Sequence, residues 1–305
     1  MTLRRVVAYI ARRVFLVGLA ATGLSWTVFL MVHALPGSPY SGSERMTEAR
    51  ERLLLHRAHL DDPYPIQYLH WIQSYFSGSD LSPLLWSEAW TSIRLGLLAI
   101  ALTLVVGIWA GVAAAANRGQ RVDHAAGFAA SVAYAVPNFV WAMWLFFFFS
   151  ALMYRWTGGL IYVEVGWGQP IQWVLPAVAL ATPQAGLVAR IVRASMLDTL
   201  GQDYIRTAWA KGLSDRSVLL RHALRNSLIP LTTVMGPIAV ATLMGSLVIE
   251  KIFNVPGLGA ELVYSIFNRA YFIATGVFTF YSVLAGLAMI AVDVAYLLLD
   301  PRIRY

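Results

Sequence analysis

The chain contains no cysteine among its 305 residues. It therefore has neither a disulfide framework nor a metal site built on thiolates. It also has just two lysines, Lys211 and Lys251, and neither follows a glycine, so the GxxxxGK[ST] loop that cradles nucleotide phosphates is missing. No serine lies in a GxSxG elbow, and no group of His, Asp and Glu has the spacing of a metal site. Catalysis by this chain alone, or a cofactor held by it, is not expected.

Charge is scarce as well. Only 13% of the residues are Asp, Glu, Lys or Arg, 58% are hydrophobic, and the mean hydropathy is +0.62. Soluble domains average about 25% charged and about 45–50% apolar residues. Disordered chains have low hydrophobicity, so this composition argues against disorder and indicates a membrane protein.

Six long stretches lack Asp, Glu, Lys and Arg, and each is long enough to cross about 30 Å of hydrocarbon as a helix. They are Val14–Ser43, Leu95–Asn117, His124–Tyr154, Val165–Ala189, Asn226–Ile249 and Ala270–Val292. A seventh stretch, Pro63–Ser79, is too short and too polar to span. The sequence thus predicts an all-α, polytopic membrane protein with six transmembrane helices.

Six spans place both termini on one side of the membrane. With the N-terminus inside, fifteen Lys and Arg residues fall on the inner connections and eight on the outer ones. The positive-inside rule then predicts an N-in, C-in topology. The net charge of +7 is mostly explained by this topology, and no nucleic-acid partner is needed to account for it.

The sequence divides into three parts. Residues 1–35 form an N-terminal cytoplasmic arm and an uncleaved first helix, because the apolar run is longer than the core of a secretory signal. Residues 36–90 form an outer segment, in which Glu44–Leu60 alternates charge at helical spacing and predicts a surface helix. This segment is either a structural cap or a contact for an outside partner. Residues 91–305 form the core.

Within the core, Gly107 and Gly111 form a GxxxG pattern that predicts close helix packing. The acid placed inside a predicted span is Asp293, near the inner end of the sixth, and His33 lies at the outer edge of the first. Ion-coupled carriers need ionisable groups near the membrane midplane, so a secondary carrier or channel is the less favoured alternative.

The longest inner connection, Arg190 to Arg225, predicts two short helices. In the first, Tyr204, Ile205, Ala208 and Trp209 fall on one arc, and Asp203, Arg206, Thr207 and Lys211 fall on the opposite arc. Gly212 supplies a left-handed stop, Ser214 begins a second helix over Asp215–Asn226, and Pro230 opens the fifth span. The first helix either lies on lipid or docks into a groove of a cytoplasmic protein.

The stretch from Leu175 to Pro230 resembles the permeases of the dipeptide/oligopeptide/nickel class of ABC importers. Its RTAxAKGL element is Arg206–Leu213. Further matching pieces, in the family's order, are Ala34–Pro39, Pro65–Tyr68, Pro256–Gly259 and Leu299–Tyr305. Two positions depart from the family pattern: Ser38 replaces the usual Asp, which puts any role of that acid in doubt here, and Trp209 is bulkier than the Arg often found there.

The resemblance implies an ABC importer type I permease fold and a bacterial inner-membrane location. It also implies a second homologous permease chain, two ATPase subunits that bind ATP and Mg, an extracytoplasmic solute-binding protein, and uptake of peptides or a related small solute. Residues 196–228 would be the coupling loop. The ATPase-coupling helix would comprise Asp203, Tyr204, Ile205, Arg206, Thr207, Ala208, Trp209, Ala210, Lys211, Gly212 and Leu213, with Tyr204 and Trp209 as apolar anchors and Arg206 and Lys211 as polar contacts.

Overall fold

A computed structural model describes residues 3–35, 47–57, 59–77, 81–159 and 165–299. Over these ranges every regular element is helical. The first seven α-helices are α1 Leu3–His33, α2 Glu48–Arg57, α3 Tyr64–Phe76, α4 Leu81–Ala116, α5 Arg121–Ala135, α6 Asn138–Phe147 and α7 Met153–Trp156, with a π-helical turn, Phe148–Leu152, joining the last two.

The remaining helices follow a short 3₁₀ turn at Pro170–Trp173. They are α8 Val174–Leu200, α9 Asp203–Ala210, α10 Asp215–Ser217, α11 Leu224–Ser227, α12 Ile229–Met244, α13 Ser246–Ile252, α14 Leu258–Phe267 and α15 Tyr271–Leu299. A second π-helical stretch, Val218–Ala223, joins α10 to α11.

Six helical stretches in the described residues are long and apolar enough to cross a membrane, which confirms the predicted number. They are Ala8–His33, Leu85–Ala116, Asn138–Trp156, Pro170–Leu200, Ile229–Ile252 and Tyr271–Val294. The stretch Pro63–Ser79 gives only the 13-residue helix α3. The predicted outer surface helix is represented by α2, while residues 36–46 lie outside the described part of the chain.

The third predicted span is wrong at its start. The charge-free stretch begins at His124, but the helix breaks between α5 and α6, and the apolar span begins at Asn138. Val136, which precedes Pro137, is extended (φ −88°, ψ 126°), the conformation that a following proline favours. Proline also leaves the carbonyl four residues earlier without its usual donor, and the indole Nε1 of Trp141 donates to Ala133 O at 3.2 Å.

The chain forms two compact units. One comprises residues up to Ser92 together with Pro256–Ile290. In this unit Phe29 of α1 packs against Tyr68 and Trp71 of α3. The Ser25 and Tyr68 hydroxyls share a hydrogen bond of 2.5 Å, and Trp71 Nε1 donates to Phe272 O at 3.0 Å. The short helix α3 is therefore held along the first span by its aromatic face.

The second unit, Ile93–Val255 with the chain from Ala291, is organised around α8. Small residues along α8 let its neighbours approach closely. A β-carbon at Gly186 would lie 2.5 Å from Ala130 O of α5. On α4, β-carbons at Gly107 and Gly111 would lie 2.7 Å from side-chain atoms of Val188 and Val192, respectively. The GxxxG pattern therefore marks a close helix contact, as predicted.

Candidate functional site

The connection after α8 folds into the short helix predicted from the sequence. Gln202 is extended (φ −77°, ψ 149°) and precedes the first helical residue, Asp203. The helix ends at Ala210, and Gly212, two residues later, has a φ of +78°, the left-handed conformation expected there. Gly212 N donates to Trp209 O at 2.8 Å, and Leu213 N points to Ala208 O at 3.4 Å. This pair of bonds is a Schellman motif, which ends α9 sharply.

One face of α9 belongs to the core of its own unit. Ile205 is fully buried, and Ala208 is nearly so. Both pack in an apolar cluster with Met196 of α8 and with Val218 and Ala223 of the π-helical stretch. Ile205 and Ala208 therefore fix α9 to the core of its own unit, and these two residues offer little surface to any partner.

The two aromatic residues lie at the edges of that buried face. The Nδ2 of Asn226 donates to the hydroxyl of Tyr204 at 2.7 Å. The indole Nε1 of Trp209 donates to Asp215 Oδ1 at 3.0 Å. About two fifths of each aromatic residue stays exposed. The predicted apolar arc is thus divided: its centre is internal, and its two aromatic edges face outward while bonded to the next helices.

The outer face of α9 is exposed at four positions on one stripe: Asp203, Arg206, Thr207 and Ala210. Asp203 and Arg206 form an exposed ion pair at 3.6 Å. Lys211, Gly212 and Leu213 continue the exposed surface beyond the helix end. This surface is short and polar, with aromatic residues at its margins.

The second predicted helix is present, but it is not a uniform α-helix. It consists of α10, the π-helical stretch and α11, and ends at Ser227. The Ser227 hydroxyl lies 3.1 Å from Thr199 Oγ1 and 3.3 Å from Ser195 O, both on α8. The connection therefore leaves α8 at its C-terminal end and returns to it at Ser227, so both ends of the connection are held by the same long helix.

An ion pair between a buried carboxylate and a partly exposed arginine was not predicted. Asp123 of α5 is only 4% exposed and accepts hydrogen bonds from Arg193 Nε (2.5 Å) and Nη2 (2.8 Å) of α8. Gly119 N donates to the same carboxylate at 2.9 Å. These donors, Arg193 first, hold the pKa of Asp123 well below its usual value. The sequence gives no signal that pairs two residues so far apart, and Arg193 counted there merely as one of the inner positive charges.

Residues 104–305 match the family model described as "Binding-protein-dependent transport system inner membrane component". The chain belongs to this family. It is 36% identical to the dipeptide transport system permease protein DppB of Bacillus subtilis (strain 168), with 97% of each chain covered. It is 33% identical to the oligopeptide transport system permease protein OppB of Escherichia coli (strain K12), over 91% of this chain and 92% of that one.

Solved structures agree on the fold of this permease. A chain of the MetNI methionine ABC transporter in an inward-facing conformation superposes with a TM-score of 0.58 at 17% sequence identity. The match covers 72% of this chain and 98% of that one. At this identity the likeness concerns the fold alone, and it confirms the type I ABC importer permease architecture expected from the sequence.

Proposed function

We propose that this chain is the transmembrane permease subunit of an ATP-driven importer of peptides or a related small solute, and that α9 is the helix through which a separate ATPase subunit moves it. The dipeptide and oligopeptide permeases among its relatives support the cargo class. These relatives give no support to the alternative of a secondary carrier or channel.

The single observation that carries the coupling role is the way α9 is held. Ile205 and Ala208 fix its inner face, the Ser227 contacts return the connection to α8, and the outer stripe stays exposed. We expect a helix attached in this way to move together with α8. A push or pull on the exposed face is therefore passed to a membrane span, which is what alternating access driven from the cytoplasm requires.

The other components follow from the same proposal. Six spans provide half of a pathway, so a second homologous permease completes it. Two ATPase subunits bind ATP and Mg, and an extracytoplasmic solute-binding protein delivers the cargo. The assembly lies in the bacterial inner membrane with both termini of this chain in the cytoplasm, an orientation supported by the excess of Lys and Arg on the inner connections.

The absence of cysteine permits a direct test of docking. A single Thr207→Cys substitution places a thiol on the outer stripe of α9, and we expect a short bifunctional reagent to cross-link it to the ATPase subunit in membranes. Gln120→Cys, an exposed position on another inner connection, is the control and should react more weakly. If Thr207→Cys gives no ATPase adduct, or gives no more than Gln120→Cys, the docking role is wrong.

A transport assay tests the coupling itself. Gly212→Pro removes the N–H that bonds Trp209 O and forbids the φ of +78°, so it should abolish uptake of a labelled dipeptide at an unchanged membrane level. Gly201→Ala, at the other end of α9 with φ −77°, should retain uptake. Trp209→Ala should cut uptake, since loss of an aromatic anchor costs about 2 kcal/mol. Normal uptake by both Gly212→Pro and Trp209→Ala would refute coupling through α9.

A further inference from the structure

A group of metal-ligating side chains lies far along the chain from α9, at the junction of α2 and α3. His59, Asp62 and His70 each offer a ligand atom, and these atoms all lie within 4.8 Å of one another. His59 Nδ1 is 3.0 Å from Asp62 Oδ2, and the rings of His59 and His70 stack with centroids 4.4 Å apart. The three residues come from a turn and a separate helix, which explains why no spacing in the sequence indicates them.

The turn that carries His59 and Asp62 is fixed to α3, the helix that carries His70. Gln67 of α3 is only 1% exposed, and its Nε2 donates to Leu60 O at 3.0 Å and to Asp62 O at 2.7 Å. His70 follows Gln67 by one helical turn. One buried amide therefore sets the position of the turn relative to His70, so the backbone that carries the three side chains is held in place.

The backbone at the turn is also unusual. His59 has φ +55°, a conformation that costs energy for a residue with a β-carbon, and histidine is one of the residue types found there more often than most. The side chain is thereby directed toward Asp62 and His70 rather than along α2. A surface ion pair between His59 and Asp62 would not need His70 beside it.

The chemistry of the three ligands defines the class of ion. Two imidazoles and one carboxylate suit Zn²⁺ and its late first-row neighbours, and a water molecule completes a tetrahedral set. In a tetrahedral site, two ligand atoms that each lie about 2.0–2.1 Å from zinc are roughly 3.3 Å apart. The ligand atoms here lie within 4.8 Å of one another, so any two of them must approach by about 1.5 Å at most. The His59 and His70 rings stack with an interplanar angle of 17°, so one ring must turn before nitrogens of both face a single ion. His59 is exposed and has room to turn, and solvent reaches the site.

We propose that His59, Asp62 and His70 form a binding site for a divalent cation of the zinc type in the segment between the first and second spans. The bound ion would fasten the α2–α3 turn to α3. The neighbouring pair of His56 and Asp61, 2.7 Å apart, lies outside this ligand set. The inference does not depend on the transport role of the chain.

The test uses the purified full-length chain carrying an affinity tag without histidine. Titration with ZnCl₂ in a calorimeter should show one ion per chain, and Co²⁺ should give the absorption of a four-coordinate site. His59→Ala and His70→Ala should each weaken Zn²⁺ binding by about tenfold or more, and the double variant should abolish it. His56→Ala and His124→Ala remove exposed histidines outside the set and should leave the affinity unchanged.

Several results would overturn the assignment. Absence of stoichiometric Zn²⁺ binding by the parent chain would exclude the site. Unchanged binding by the double variant would place the ion elsewhere, and equal loss in His56→Ala would show that the ligand set is wrong. Should an alanine variant fail to fold, Asp62→Asn and His70→Gln keep the side-chain volumes similar and apply the same criteria.

Discussion

Helices α8 and α15 are both long apolar spans, yet they differ sharply in how they are used. In the most hydrophobic window of each, 56% of the residues of α8 are buried and only 11% of those of α15. The more hydrophobic helix is thus the less buried one. Lipid is as apolar as a protein core. The hydropathy of a helix therefore indicates whether it enters the bilayer, and not whether it is buried by other helices.

Side-chain size accounts for the difference better than hydropathy does. Residues of α8 such as Ala181, Ala185 and Gly186 are small and buried, and they allow close approach of neighbouring helices. Large residues of α15 such as Leu287 and Met289 point outward. Helix α9 leaves directly from the C-terminal end of α8, so the proposed coupling helix is attached to the most closely packed span.

The sharpest test of the comparison removes the same atoms from both helices. Leu180 of α8 is 1% exposed, and Leu287 of α15 is 52% exposed. We expect Leu180→Ala to lower the free energy of unfolding by about 2 kcal/mol or more, because it leaves a cavity. Leu287→Ala should change it by less than about 0.5 kcal/mol. Thermal unfolding of the purified variants in detergent measures both, and equal losses would contradict the contrast.

A smaller but still large effect is expected from adding one methyl group. Gly186→Ala places a β-carbon 2.5 Å from Ala130 O, so α5 and α8 must separate, at a cost of about 1–3 kcal/mol. Gly127→Ala on α5 has nothing within 4 Å and serves as the control. The same unfolding assay should show a lower midpoint only for Gly186→Ala. A midpoint shared by the two variants would mean that the packing is looser than described.

The next effect on stability is expected from the Asp123–Arg193 ion pair. Asp123→Asn removes the charge that Arg193 faces, and we expect a thermal midpoint several degrees lower. Arg193→Met leaves the buried carboxylate without its main partner and should be at least as harmful. The double variant should lose less than the sum of the single losses, since the two residues act on each other. Strictly additive losses would show that the pair is not coupled.

The smallest effect concerns α6, which is largely exposed yet contributes a specific polar contact. Trp141→Phe keeps an aromatic side chain, although a smaller one, and removes the donor to Ala133 O, so we expect a loss of about 0.6 kcal/mol from the missing hydrogen bond. Trp144→Phe is the control, because Trp144 is 67% exposed. Unfolding midpoints in parallel distinguish the two. A larger loss for Trp144→Phe would mean that the outward face of α6 is the one that carries the contacts.

Local features of the fold could be read from the sequence. The number of spans follows from charge-free length, because an unpaired charge is costly in hydrocarbon. The limits of α9 follow from local chemistry, since Gly212 alone among nearby residues adopts a left-handed conformation without strain. The start of the third span was predicted wrongly, because a search for stretches without charged residues does not detect a helix break such as the one at Val136 and Pro137.

Contacts between distant residues were decided only by the tertiary structure. It divided the predicted apolar arc of α9, burying Ile205 and leaving Trp209 half exposed. It paired Asp123 with Arg193 and brought His59 to His70. The sequence determined which segments enter the membrane, because that choice depends on each segment's own transfer energy. It could not determine which helix faces meet. In a bilayer, buried residues and lipid-facing residues are both apolar, so the pattern of hydrophobic residues along a span does not distinguish one face from the other.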